Sequence, residues 1–463
     1  MRSFMSEEYL LTNETAKKVY EKIKDMPIFD YHCHLSPEEI LEDKKFFDLT
    51  ELWLLGDHYK WRVMRNYGVE ENLVTGDAAA YDKFFAFASA LPSFIGNPVY
   101  HWAHLELKKY FGITTPLSAK TAPEIWDKTK KIMADGSFSA RRLIAISSVD
   151  TVGTTDDPIS PLKAHEEIKK LGLPFSVVPS FRPDNAINIE KPVFVGYIGK
   201  LAEASEIEIG SFEDLVAALD KRLSYFVDHG CLATDCSFTD FPKGTGDEKK
   251  ADAVLKKALS GKECSKEEQD EFKFCILKRL AGLFTKYNLV MQVHTGVLRN
   301  QNSARFAAIG ADCGIDSVGN ALDIEAGGKL FDEIEKAYGL PKTIVYTLNP
   351  NSYYPLATMI GDFAGQTAGK MQLGAAWWFM DHRDGIREQL KVFADTAGLG
   401  LFNGMLTDSR SFVSYARHDY FRRIFCSVIG EWVEAGEYPD DLEDLVTLGK
   451  NVAFNNAKKF FTR

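Results

Sequence analysis

Short apolar runs ending in polar residues recur along this chain, and each is followed by a stretch with helical spacing. The runs span 27–32, 149–155, 175–179, 230–234, 289–293, 343–347, 371–375 and 402–406. Runs of this length predict strands, and strands alternating with helices predict a parallel sheet. Eight such units close a (β/α)8 barrel of the TIM type, so an α/β barrel is the expected fold. Two helix starts are marked by the capping pattern Ser-x-x-Glu: Ser36-Pro37-Glu38-Glu39 and Ser265-Lys266-Glu267-Glu268.

The pattern also shows what is added to a minimal barrel. Residues 1–34 read as an N-terminal helix and strand one, and 35–142 as a mostly helical insert after it. Residues 143–414 carry the rest of the barrel, with a charge-rich helical insert near 240–285. Residues 415–463 read as extra C-terminal helices. Long inserts after barrel strands sit over the mouth or at subunit contacts, so a homo-oligomer is expected.

Composition narrows the function. The 463 residues are 45% hydrophobic and 26% charged, with a net charge of -11. This is globular material, and its sign argues against nucleic acid as a partner. No apolar run reaches membrane-spanning length, and the start Met1–Glu8 has no apolar signal core. Seven cysteines without a Cys-x-x-Cys pair read as reduced thiols, so a cytoplasmic location is expected; Cys33 reads as packing.

Barrel enzymes place their chemistry at the carboxyl ends of the strands. Here the first run ends in His32-Cys33-His34, two imidazoles that share a face of a strand. The last run ends at Asp408, which barrel closure would bring beside them to complete a three-ligand open metal site. Helix capping is the other use for Asp408, and packing for a single histidine. His294 ends the fifth run, as a further ligand or the holder of a water. Arg182 and Arg410 offer guanidinium groups for a carboxylate, or for a local ion pair with Asp184 or Asp408. Trp377-Trp378 suits a sugar face or a core. Asp57-His58-Tyr59 on the insert holds a pair able to shuttle protons, or a helix with a buried hydroxyl.

Seven phrases in order, PIFDYHCHL (27–35), GDHYKWR (56–62), GNPVYHWAHLEL (96–107), VGTTDDP (152–158), SFRPD (180–184), LPKTIVYTLNP (340–350) and MLTDSRSFVSYARHDYFRR (405–423), resemble the uronate isomerases of the amidohydrolase superfamily. The resemblance runs over essentially the whole length. It implies a distorted barrel and a cytosolic enzyme converting D-glucuronate to D-fructuronate and D-galacturonate to D-tagaturonate. It implies one divalent metal ion, with zinc expected, on His32, His34 and Asp408. It assigns Arg182 to the substrate, His58 and Tyr59 to a loop reaching it, and His294, Trp377 and Arg410 to the pocket. Where this chain has Thr234-Asp235-Cys236 the family carries Ser-Asp-His, so a histidine role there is lost.

Aldose–ketose isomerisation passes through a cis-enediol, and its barrier is removal of a carbon-bound proton. Asp408, Tyr59 and His294 are the expected acid/base groups, with His58 beside them, and Arg182 and Arg410 the expected hold on the C6 carboxylate. A metal-dependent hydrolase is the alternative; it calls for a histidine after the sixth run, where the chain has Leu348-Asn349-Pro350, and for a Lys after the fourth. A barrel that binds sugar acids without turnover is a third reading.

Overall fold

The computed structural model describes residues 3–462. In chain order its strands are β1 (Ile28–Asp30), β2 (Val149–Gly153), β3 (Ser176–Val178), β4 (Ser180–Phe181), β5 (Ala233–Phe238), β6 (Val290–Thr295), β7 (Val297–Leu298), β8 (Ser317–Val318), β9 (Thr343–Thr347) and β10 (Met371–Leu373). β7 and β8 form a small antiparallel hairpin. The rest pair in parallel, in the orders β1-β2-β3 and β10-β9-β6-β5-β4. β3 and β4 are one strand interrupted at Pro179, which has no N–H for a ladder. Beyond the break Ser180 N donates to Thr154 O (3.0 Å) and Arg182 N to Asp156 O (2.9 Å), which joins the two sheets.

The seam between β10 and β1 departs from the sequence expectation. A strand is predicted over 402–406, but no backbone ladder forms there. Side chains close the ring instead. Gln372 donates to Leu401 O (2.9 Å) and accepts from Asn403 N (3.1 Å). On the other side Asp30 accepts from the Thr407 N–H (2.8 Å) and hydroxyl (2.6 Å), and Tyr31 donates to Gly404 O (2.8 Å). Gly404 explains the irregularity: its φ is +73°, and a Cβ there would collide with the Val452 carbonyl. The result is a barrel distorted at one seam.

Strand limits shift as well. β1 stops at Asp30, before the histidine pair. β5 starts at Ala233 rather than Gly230, because Gly230 closes the preceding helix with φ +88°. Asp235 therefore lies inside a strand, not at its end, and so does His294 in β6.

The barrel interior climbs from apolar to polar. Phe29, Ala233, Val290 and Ile344 pack together at the amino ends, closed by Phe460 and Phe461 of the last helix, Asn456–Phe461. Phe461 stacks on Tyr31 with ring centroids 4.7 Å apart. Higher up, the Tyr346 hydroxyl donates to Gln292 (2.9 Å). Since residues two apart share a face, Ala233 leads up to Asp235, and Val290 leads through Gln292 to His294.

Between β1 and β2 the chain is helical almost throughout. One of its helices, His58–Tyr67, is capped by Asp57, whose carboxylate accepts from Tyr59 N (3.0 Å) and Lys60 N (3.2 Å). That cap fixes His58 in the first turn. The capping box at Ser265 forms as predicted; at Ser36 only the serine half forms, because Glu39 turns to Lys44. Among the described residues no helix is long and apolar enough to cross a membrane.

Candidate active site

His32, His34 and Asp408 converge at the carboxyl end of the barrel. His32 Nε2 lies 3.2 Å and His34 Nε2 3.1 Å from the same oxygen, Asp408 Oδ1. The other oxygen, Oδ2, accepts from the Trp377 indole N–H (2.6 Å). The backbone locks the approach: Asp408 N donates to His32 O (3.1 Å) and His34 N to Ser409 O (3.0 Å). Asp408 has a φ of +44°, an unusual backbone for a non-glycine residue. Burial would raise its carboxyl pKa, but the two imidazoles outweigh it and hold the group ionised well below the usual range.

The donor set fits a divalent ion. With metal–ligand bonds near 2.0–2.1 Å, tetrahedral donors stand about 3.3 Å apart, close to the spacing here. His32 also feels Asp235, its Nδ1 being 4.0 Å from Asp235 Oδ2 with no hydrogen bond. Burial opposes protonation of His32, yet the carboxylates on either side raise its pKa. A pocket that draws positive charge to an imidazole is also one that favours a cation. His34, by contrast, is pushed down to about 4 by burial, so its ring is neutral.

A second cluster stands behind the first. Asp235 is wholly enclosed, with 0% of its side chain exposed. Its Oδ1 accepts from His294 Nδ1 (2.7 Å), and its Oδ2 forms an ion pair with Arg182 NH1 at 3.1 Å without a hydrogen bond. Burial opposes the charge on Asp235, but Arg182, His294 and His32 keep it ionised, far below the usual carboxylate range. Burial lowers the His294 pKa, so the ring is neutral, with its proton on Nδ1 and a lone pair on Nε2. That Nε2 has no hydrogen-bond partner. The ring stacks on Tyr346 at 4.3 Å and stands 4.7 Å from His32 and 4.6 Å from Trp377. His32, Asp235 and His294 also lie within reach of one ion. Asp235 is already bonded to His294 and charge-paired with Arg182, however, so His32, His34 and Asp408 form the better site.

These groups open onto one cavity of about 360 Å³, lined among others by His32, His34, Arg182, His294, Trp377, Asp408 and Arg410. The two arginines differ there. Arg182 is spoken for by Asp235 and by Asp184 (Nε to Oδ2, 3.0 Å). Arg410 does not pair with Asp408; its partner is Asp312 (3.0 Å). His58 lines this cavity and also an adjoining one of about 260 Å³. Its pKa is lowered by burial and by Arg410. Tyr59 stacks on His58 at 4.7 Å but lines only the adjoining spaces, so it is not gathered with the His32 cluster.

Sequence reasoning passes over three groups that matter here. Asp235 has partners 53 and 59 positions away, at Arg182 and His294, so nothing local marks it. Its inward position on a strand beside that of His294 is the only sign. Asp312 carries no pattern at all. Arg417 pairs with Asp381 (2.8 Å) and also donates to Thr407 O, which supports the backbone just before Asp408.

The chain matches the family model for glucuronate isomerase over residues 1–461. It is 49% identical over 463 residues to the uronate isomerase of Caldanaerobacter subterraneus subsp. tengcongensis, covering 99% of each protein. It is 46% identical over 468 residues to that of Clostridium perfringens, covering both in full. Its structure is similar to uronate isomerase from Thermotoga maritima, with a TM-score of 0.95, 33% identity and 100% of both chains covered. It is also similar to glucuronate isomerase from Caulobacter crescentus, with a TM-score of 0.91 and 26% identity over 99% of this chain and 96% of that one. Matched along its length in sequence and in barrel geometry, the chain belongs to the glucuronate isomerase family.

Proposed function

We propose that the protein interconverts D-glucuronate with D-fructuronate, and D-galacturonate with D-tagaturonate, by moving a proton between C2 and C1 of the open-chain sugar. The observation that carries this reading is the shared cavity. An ionised carboxylate, a neutral imidazole oriented by a second carboxylate, and an arginine with one exchangeable partner all face it.

Asp408 is the proton carrier. Its carboxylate is held ionised, and Trp377 fixes its Oδ2 while the histidines face its Oδ1. Taking the C2 proton while a proton is added at the C1 oxygen gives the enediol; returning a proton at C1, with loss of the C2 hydroxyl proton, gives the ketose. His294, kept neutral and aimed by Asp235, exchanges protons with the sugar oxygens and assists ring opening. When bound by His32, His34 and Asp408, a divalent ion, expected to be zinc, supplies positive charge opposite the oxygens of the hydroxy-carbonyl group. Arg410 holds the C6 carboxylate, since Arg182 is already shared between two carboxylates. His58 lines the wall beside Arg410 and Tyr59 backs it, which leaves Tyr59 a role in shaping the wall. Localisation in the cytoplasm is supported by seven scattered cysteines without a Cys-x-x-Cys pattern, and self-association is expected from the helical insert.

The test is incubation of the zinc-loaded protein with each uronate, followed by detection of the 2-ketose. Ketose formation is expected with both. A folded, metal-loaded protein that makes no ketose would refute the reading, and cleavage of an ester or amide panel instead would favour the hydrolase.

A further inference from the structure

We infer that Asp312 is a tethered carboxylate that occupies the substrate carboxylate's place on Arg410 in the ligand-free enzyme and yields it when a hexuronate enters, so that Asp312 sets the affinity for the acid group. This rests on the reading above in which Arg410 receives the C6 carboxylate.

Asp312 lies on the excursion between β7 and β8, whose helix Ser303–Ile309 buries no residue. It lines the same cavity as His34, His58, Asp408 and Arg410. Its Oδ2 stands 3.0 Å from Arg410 NH2, and its Oδ1 3.7 Å from Arg299 NH1. The chain around it is docked without its help. Arg62 donates to Asp316 O (2.9 Å), Arg65 to Cys313 O, and Asp316 accepts from Asn300 N (2.7 Å) while pairing with Arg299 (3.1 Å). Gly314 packs so closely that a Cβ would stand 2.9 Å from His58 O. Asp312 itself adopts φ +55°, a left-handed backbone uncommon for a non-glycine residue.

Stability does not account for that arrangement. The Asp312 side chain is 54% exposed and that of Arg410 36%, and an ion pair so open contributes little to folding. What the pair does is neutralise the one cavity arginine not already shared between two carboxylates. Arg410, Arg299, His58 and His34 all act on the Asp312 carboxylate, so the spot attracts an anion. A second carboxylate on Arg410 meets like-charge repulsion until Asp312 moves, and Arg299, already near Oδ1, gives it somewhere to go. On product release the same carboxylate returns to Arg410.

A double-mutant cycle on the zinc-loaded enzyme with D-glucuronate tests this, using Asp312→Asn, Arg410→Met and the pair. Asp312→Asn should lower KM about two- to fivefold, the range of an exposed ion pair. Arg410→Met should raise KM more than about tenfold, as loss of a charge-assisted bond does. In the Arg410→Met background, Asp312→Asn should leave KM unchanged. Asp312→Glu, which keeps the charge, should stay near the parent value. If Arg410→Met raises KM but Asp312→Asn raises it too or leaves it alone, Asp312 orients Arg410 or is idle, and this inference fails by itself. If Arg410→Met leaves KM unchanged, the placement of the carboxylate on Arg410 fails.

Discussion

Two stretches of the barrel wall carry the groups proposed for the chemistry, and they are built differently. β5 and β6 run side by side for six residues each in a regular parallel ladder, and they carry Asp235 and His294. The segment 402–408, which carries Asp408, has no ladder and is held by Asp30, Tyr31, Gln372 and Arg417 side chains. On the ladder, backbone hydrogen bonds fix the position and the side chain needs only the right parity. On the seam, side chains hold the segment up to Thr407, two isolated backbone bonds at Asp408 and Ser409 fix its end, and without a ladder the backbone can take the +44° turn that presents Asp408 to two imidazoles. A regular strand could not make that turn, because its dihedrals are extended. The group proposed to meet both a metal and a substrate sits where the barrel is irregular, and the group proposed only to be oriented sits where it is regular.

The contrast can be broken from either side. The largest effect is expected for Asp408→Asn, which removes the proposed metal ligand and the proposed proton carrier together. kcat/KM should fall by about 10³-fold or more, with loss of bound zinc by elemental analysis. Next is Asp235→Asn on the ladder. It strips His294 and Arg182 of their common carboxylate, and kcat should drop about 10²-fold with zinc retained. Asp30→Ala attacks the seam by leaving the Thr407 N–H and hydroxyl without their acceptor. Denaturant unfolding should show a loss of about 2–4 kcal/mol, and zinc affinity should weaken because Asp408 is next in the chain. The mildest is Gln372→Ala, on the far side of the seam, at about 1–2 kcal/mol and little change in zinc affinity. If Asp30→Ala costs stability yet leaves zinc affinity intact, the seam does not position Asp408.

The pH profile follows from the imidazoles. Burial lowers the pKa of His294 and His34, while the carboxylates beside His32 raise its own. With the ion held in place of ligand protons, the profile of the zinc-loaded enzyme is set by His294, which must be neutral to work. kcat/KM should hold above about pH 6.5, the unperturbed imidazole value, and fall as pH drops through the lowered values. Folding stability shares the sign, because the unfolded chain takes up protons there before the native one does.

Much of this was legible in the chain. Apolar runs of strand length placed seven of the eight wall positions, since paired strands need β-forming residues on two buried faces. His32 and His34 stood out because His-x-His is rare chemistry at a run's end, and barrel closure pointed to Asp408. The 402–406 run was misread because its apolar residues face the core as a strand's would, while the clash that Gly404 avoids lies with Val452. Asp235 was hidden by a boundary: the run seemed to start at Gly230, which put the carboxylate at an end instead of inside β5. Tyr59 reads as a proton carrier because it follows His58; on the helix that Asp57 caps the two rings stack and share the adjoining spaces, and only His58 also lines the cavity of His32 and Asp408. Contacts between distant segments, such as Arg410 with Asp312, leave no local trace.

The central claim is that the carboxylate on the irregular seam carries the sugar proton. Deuterium exchange tests it most directly: D-glucuronate is incubated with the zinc-loaded enzyme in D2O, and the C1 and C2 positions are followed by NMR. Deuterium is expected in ketose and recovered aldose with the parent enzyme, at a reduced rate with His294→Asn, and not at all with Asp408→Asn. Full exchange with Asp408→Asn would contradict the account.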